Sequence, residues 1–488
     1  MRQLMRKQLF FFTSLLLSVV LFWQCSTPTE QHIYFIATND IHATIESMPQ
    51  LATLVKEYKE RGEVFVMDSG DRVSGNAYVD DATEPGIPII KLMNDIGYNA
   101  AILGNHEFDK GPEVLNAMIE CANFPIVCAN IKANYEVDIP QHIFFECYGI
   151  TFGIVGIVDT DNNGRPLGGN LSYANYTFLP DVETAYNKCE EIAPKCNMVI
   201  LLSHMGLDRD IILAEQTPFC DWIAGGHSHD LVNQKYGYAH ITQNKNKLRY
   251  ATVADVTVKN EKIVDVKYEQ VEIATIAPDE EIAERIEEIK ASDPKLNSII
   301  GHATTTATKD GVANFTIDAL AHYPYDNDFV PEISLYHYGG IRLDEIHEGD
   351  IKYVDILNND PFMSTIYIGT MTKKQLRDFI IAKYNSGTPE RPDKESHYPY
   401  FRSDAPYKII LGENGDAKDV VFNLEDRSYR VAMCNYIAEN YINSIIVSRQ
   451  LRPTNISVRD AMIQHISTFE NGIFTPDNEC YQTEIESK

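Results

Sequence analysis

Nine polar side chains recur at one kind of place in this chain, just past a short apolar run. They are Asp40 and His42 in Asn-Asp-Ile-His, Asp71 in Ser-Gly-Asp, Asn105, His106 and Asp109 in Asn-His-Glu-Phe-Asp, His204 in Leu-Leu-Ser-His, and His227 and His229 in Gly-Gly-His-Ser-His. Taken singly, each reads as an ordinary loop histidine or a helix-capping aspartate. Repeated after several apolar runs, the set is a supply of carboxylate, imidazole and amide oxygen, the donors that divalent cations take. A carboxylate has two oxygens and can bridge ions ~3.5–4 Å apart; Asp71 is the bridging candidate. On an extended backbone, the i, i+2 pairs Asp40/His42 and His227/His229 each send both side chains to one face. Glycines at 70, 104, 225 and 226 leave room for close approach of the backbone.

The segments between these residues alternate in character. Apolar runs at 33–38, 64–67, 100–103, 198–203 and 222–224 read as strands, and 48–60, 87–96, 112–121 and 182–192 as amphipathic helices. Residues 144–148 and 150–158 read as a hairpin around Gly149, and 248–271 as strand, turn and strand. Such alternation predicts an α/β layered domain with its ligands beyond the carboxyl ends of the strands. A charged helix over 278–292, with Ile282, Ile286 and Ile289 as its apolar stripe, is the expected link to a second domain. That domain shows strands at 333–336, 366–370 and 407–411 and helices at 316–323 and 373–384, and the chain from Asn471 onward reads as loose.

The length of 488 residues predicts at least two domains. A net charge of −28, with no basic patch, argues against a nucleic-acid polymer as partner. Arg2, Arg6 and Lys7 precede an apolar run from Leu9 to Trp23 and then Cys25, the layout of a signal segment with a lipidation cysteine. The expectation is an exported, periplasmic or outer-membrane lipoprotein, tied to a membrane only through Cys25. Of the other cysteines, Cys189 and Cys196 are spaced so that an exported chain could bridge them. For Asp109, a helix N-cap near Pro112 is the structural alternative.

The blocks around Asp40, Asp71, Asn105, His204 and His227 resemble the metallophosphoesterase superfamily. The two-domain layout resembles its 5′-nucleotidase and UDP-sugar hydrolase family. That resemblance implies a four-layer α/β/β/α domain over 30–275, after a signal peptide at 1–24. A linker helix at 276–297 and a smaller α+β substrate domain at 298–470 would follow. It implies two divalent ions (Mn, Zn, Fe, Co or Ni), one on Asp40, His42, Asp71 and His229, the other on Asp71, Asn105, His204 and His227. His106 and Asp109 match the family's catalytic dyad. In the second domain, Tyr338-Gly339-Gly340-Ile341-Arg342 and Asn359-Asp360-Pro361-Phe362 resemble the substrate signature, with Arg342 as anion binder. Aromatics near 398–402 and 436–441, Phe401 and Tyr441 first, would stack a base, and Asn105 would also touch the substrate. The activity implied is hydrolysis of nucleotide phosphomonoesters. UDP-sugars, 2′,3′-cyclic nucleotides or another phosphoester are the alternative substrates, and a non-catalytic surface binding protein is the alternative class.

Overall fold

The computed structural model describes residues 30–160, 164–166, 173, 175–385, 399–402, 407–412, 415–439, 451–479 and 482–487. Residues 1–29, with Cys25, and Tyr441 lie outside these, as does the side chain of Phe401. No helix of the described residues is long and apolar enough to cross a membrane.

Strand Gln31–Thr38 is buried on both faces, which is why its sequence reads as a continuous apolar run rather than an alternation. Ile33, Phe35 and Ala37 point one way and Tyr34 and Ile36 the other, into two different cores. The strand lies in a six-stranded sheet ordered 263–272, 250–258, 31–38, 63–68, 98–102, 126–127. Pairing from 31–38 through 126–127 is parallel, and 250–258 and 263–272 add antiparallel strands at one edge. A second six-stranded sheet is ordered 231–236, 239–244, 222–224, 198–204, 150–158, 142–147. Its middle strands are parallel and its two outer hairpins antiparallel.

The two sheets pack face to face through Phe35, Phe65, Phe152, Ile200, Leu202 and Trp222. The outer face of the first sheet is covered by helices Met48–Lys59, Ile87–Ile96 and Glu280–Ala291, through Leu51, Val55, Ile90 and Ile286. The outer face of the second is covered by helices Asp181–Ile192 and Leu207–Gln216, through Ala185, Cys189 and Leu213. Four layers in the order α/β/β/α result, with every parallel strand covered on both faces.

The second, α+β domain centres on a five-stranded sheet ordered 399–402, 333–337, 428–434, 365–372, 451–457. Helices Lys309–His322 and Val458–Ser467 share its core. The first of these begins earlier than the pattern at 316–323 suggests. Thr308 caps it by accepting from Gly311 N, and Val312, Ala313 and Phe315 are already buried. The stretch past Asn471 is not loose throughout: Ile473–Phe474 pairs with 299–303, and Gln482–Ser487 pairs in parallel with 407–411. The hairpin 231–236/239–244 is absent from the sequence reading, because its outer strand is polar and largely exposed. No disulfide joins the described cysteines; Cys189 is a buried thiol in the core beneath the second sheet.

Phe35 is fully buried between the sheets, with ring centroids of Phe152, Phe65 and Trp222 at 4.8, 5.5 and 6.3 Å. Phe35→Ala is expected to cost about 3–5 kcal/mol, read as a lower urea midpoint with an unchanged slope.

Candidate metal and catalytic centre

The nine residues come from the carboxyl ends of strands in both sheets. Asp40 and His42 follow strand 31–38, Asp71 follows 63–68, Asn105, His106 and Asp109 follow 98–102, and His227 and His229 follow 222–224. His204 is the last residue of strand Met198–His204. The loop after 31–38 keeps running beside the loop after 63–68: Asp40 N donates to Gly70 O at 3.0 Å, His42 N to Asp71 O at 2.9 Å and Ala43 N to Arg72 O at 2.8 Å. This continued pairing sets Asp40 and His42 beside Asp71.

The i, i+2 pairs converge by a different route from the extended one expected. Asp40 and His42 have φ of +50 and +47°, and His227 and His229 of +74 and +58°. Asp71 is also left-handed, at +55°. Tightly curled backbone, rather than strand parity, aims these side chains into the cluster, His229 beside Asp40 and His42 and His227 beside Asp71 and His204, at a cost of order 1–3 kcal/mol per residue.

Three overlapping groups of donor atoms result, each within 4.8 Å: Asp40, His42 and His229; His42, Asp71 and His106; and Asp71, His204 and His227. Nε2 atoms of His42 and His229 face each other at 3.1 Å, and Asp40 Oδ1 lies 3.4 Å from His229 Nε2. Asn105 Oδ1 lies 3.1 Å from His227 Nδ1. His204 Nε2 is 3.0 Å from Asp71 Oδ2 yet is buried without an aligned hydrogen-bond partner. Lone-pair atoms crowded this way fit a pair of shared cations, with Asp71 common to two of the groups. The residues present therefore fit a two-metal cofactor.

Charge in the cluster follows from burial and neighbours. Burial opposes ionisation of Asp71, but His204, His106 and His42 outweigh it and hold its carboxyl well below the usual range. Burial likewise opposes Asp40, and His229 and His204 keep it low. His227 is pushed down to about 3 by burial, with His204 adding to the effect. His204 goes the other way: burial works against its charge, but Asp71 and Asp40 raise it well above the ordinary value.

His106 Nδ1 lies 2.7 Å from Asp109 Oδ2, and its Nε2 lies 3.9 Å from Asp71 Oδ2. Burial lowers the His106 pKa, but Asp109 and Asp71 dominate and raise it to about 9. Asp109 is not the helix cap; Gly111 holds the N-cap position of helix Pro112–Cys121. From the second domain, the Phe362 ring stacks on His106 at 5.7 Å and 29°, and the Arg342 guanidinium lies 5.2 Å from the Phe362 centroid. Arg342 thus reaches the centre across the domain boundary. Tyr436 stacks on His337 at 4.4 Å and is 42 % exposed.

Several supporting residues were not singled out by sequence. Glu107 is buried and accepts from Asp71 N, Arg72 N and Gly104 N at 3.0, 2.8 and 2.5 Å. Arg72, fully buried, reaches Asp68 at 3.3 Å and the Ile102 carbonyl. Asn246 Nδ2 lies 3.1 Å from His229 Nδ1. A glutamate inside Asn-His-Glu-Phe-Asp was a visible signal for Glu107; nothing around Asn246 was.

Two family profiles match this chain: calcineurin-like phosphoesterase over residues 33–231 and the 5′-nucleotidase C-terminal domain over 295–447. The chain therefore carries a calcineurin-like phosphoesterase domain followed by a 5′-nucleotidase C-terminal domain. Among its relatives, the trifunctional nucleotide phosphoesterase YfkN of Bacillus subtilis is 27 % identical over 82 % of this chain and 31 % of the relative. Bovine 5′-nucleotidase is 29 % identical over 43 % of this chain and 40 % of the relative. The chain spans about a third of the length of the first curated relatives it matches. The 5′-nucleotidase precursor of Thermus thermophilus shares the fold at TM-score 0.74 and 20 % identity, covering 93 % of this chain and 99 % of that one. A sulfate thiohydrolase from Thermus thermophilus shares it at TM-score 0.71 and 13 % identity, covering 94 % and 97 %. A shared fold alone does not select the bond that is cleaved.

A metal ligand must be deprotonated, and His204 holds its proton in the metal-free protein. Loading with Mn²⁺ or Zn²⁺ at neutral pH is expected to release protons, and affinity to rise with pH. Calorimetric titration in two buffers of different ionisation enthalpy measures this; a heat independent of buffer contradicts it.

Proposed function

We propose that this chain is a metal-dependent phosphohydrolase acting on nucleotide phosphomonoesters. The observation that carries the reading is the stack of Arg342, Phe362 and His106 above the donor cluster. A guanidinium, an aromatic ring and an imidazole lie together beside the candidate ligands, which supports anion binding by Arg342 and proton donation by His106.

Two divalent ions supply Lewis acidity and lower the pKa of water when bound. Asp40, His42, Asp71 and His229 would hold one ion, and Asp71, Asn105, His204 and His227 the other. Arg342 orients the phosphoryl oxygens through its planar fork. His106 Nδ1 is tied to Asp109, so Nε2 is the atom free to donate toward the leaving oxygen. Asp109 fixes the ring and raises its basicity. Phe362 and Tyr436, 37 % and 42 % exposed, are the described rings on which a base would stack. Phe401 and Tyr441 remain proposed partners for the same base.

The named activity of the Bacillus subtilis relative, a trifunctional nucleotide phosphoesterase, supports testing more than one ester class. Purified protein, stripped of metal and reloaded with Mn²⁺ or Zn²⁺, is expected to release phosphate from nucleoside 5′-monophosphates in a panel with UDP-sugars and 2′,3′-cyclic nucleotides. Release from none of these favours a binding protein. His106→Ala is expected to lower turnover roughly 10²-fold with two ions still bound; metal loss instead would make His106 a ligand. Arg342→Ala is expected to raise KM by roughly 10-fold or more, since a charged hydrogen-bond pair is lost.

The basic residues at 2, 6 and 7, the apolar run and Cys25 support export and lipid anchoring as the setting of this activity.

A further inference from the structure

Asp109 receives two donors on the same oxygen. His106 Nδ1 lies 2.7 Å from Oδ2, and the Ser74 hydroxyl donates to it at 2.6 Å. Ser74 is 2 % exposed and has φ +67°. Glycine suits that backbone better than serine does, so the contribution of a serine there is its hydroxyl.

The loop that carries Ser74 is also where the second domain docks. Asp80 accepts from the backbone N–H of Ser74, Gly75 and Asn76 at 2.9, 2.7 and 2.9 Å, closing residues 74–80 into one unit. At its far end, Ala77 N donates to Asn358 Oδ1 at 2.6 Å, and Asp81 pairs with Arg459 at 2.9 Å. Asp81 also pairs with Lys110, the neighbour of Asp109, at 3.2 Å. At its near end, Gly75 packs against the backbone of His42, where an added Cβ would run into the carbonyl. A unit clamped at both ends and closed through a buried carboxylate shifts as a body rather than bending.

We propose that Ser74 is a positioning residue for the His106–Asp109 pair, and that residues 74–81 carry the docking of the second domain to that pair. This rests on the reading of His106 as the group that acts on the phosphoester. With the second domain docked, Asn358 and Arg459 hold the loop and the Ser74 hydroxyl fixes the Asp109 carboxylate. Asp109 then holds His106 Nδ1, and Nε2 faces the donor cluster. Without the Asn358 contact the loop is released at its far end, the Ser74 hydroxyl no longer holds Asp109, and the imidazole loses part of its fixed orientation.

The experiment uses the full chain reloaded with Mn²⁺, a nucleoside 5′-monophosphate and p-nitrophenyl phosphate. Ser74→Gly removes the hydroxyl and suits the backbone. It is expected to lower kcat on the nucleotide by roughly 10-fold, with KM, bound metal and thermal midpoint unchanged. The p-nitrophenyl ester, whose leaving oxygen needs no proton, should lose far less. Asn358→Ala is expected to give the same pattern more weakly, Asn358→Asp, which keeps the acceptor, to restore it, and the Ser74→Gly/Asn358→Ala double variant to lose no more than Ser74→Gly alone. Full kcat in Ser74→Gly, equal losses on both esters, or additive losses in the double variant would overturn the proposal. ¹⁵N NMR of histidine-labelled protein gives a readout free of turnover: the His106 Nδ1–H signal should shift or broaden in Ser74→Gly and Asn358→Ala. If wild-type protein cleaves neither ester, the hydrolase reading fails, and an unchanged Nδ1–H signal in both variants would then separately overturn this inference.

Discussion

Asp40 and Asp71 sit buried among His42, His204, His227 and His229, and the rest of the centre is arranged around keeping those two carboxylates charged. A buried ionised carboxylate is costly unless paired and hydrogen-bonded. Here backbone and side-chain donors do part of that work: Asp40 accepts from His227 N and Asn39, and Asp71 accepts from His106 N. His204, whose imidazole the two carboxylates hold well above its ordinary pKa, and His106 beside Asp71 do the rest when no cation is bound. The cluster is thus an electrostatic mould in which protons and metal ions compete for the same lone pairs.

Holding that mould takes a scaffold that tolerates unfavourable backbone. Five of the seven candidate ligands have positive φ. They follow strands buried on both faces, so the strain is carried by well-packed elements. Under Asp71, the buried group of Asp68, Arg72 and Glu107 ties three backbone N–H groups to one carboxylate. Asp68 itself is pushed up to about 7, mainly by burial, with Arg72 opposing. Gly104 has no room for a Cβ because Asp71 occupies it. The two sheets meet at this point, so ligands from 31–38 and 63–68 in one sheet face those from 198–204 and 222–224 in the other.

The donor set was legible because its residue types are unusual at strand ends and their repetition needs one explanation. Strand parity does not bring the i, i+2 pairs to the cluster: it needs extended backbone, and these residues are curled left-handed, with His227 and His229 entering different donor groups. What escaped the sequence were contacts made between distant segments. Ser74 and Asp109, Asn246 and His229, and Glu107 and Arg72 acquire their meaning only when loops from several strands meet. In the fold, the doubly covered strands were plain as apolar runs. The polar 231–236 strand and the short 473–474 strand were not, because a partly exposed edge carries little hydrophobic signal.

The pairing of Gln482–Ser487 with 407–411 has a bearing on how the protein is made. During synthesis, the catalytic sheets have all their strands once Ile263–Glu272 has emerged from the ribosome. The small sheet of the second domain stays open until residue 487 has followed. For that interval a nascent chain carries a finished metal-binding half beside an incomplete neighbour whose strand edges are bare, the state in which chaperone capture or mispairing is most costly.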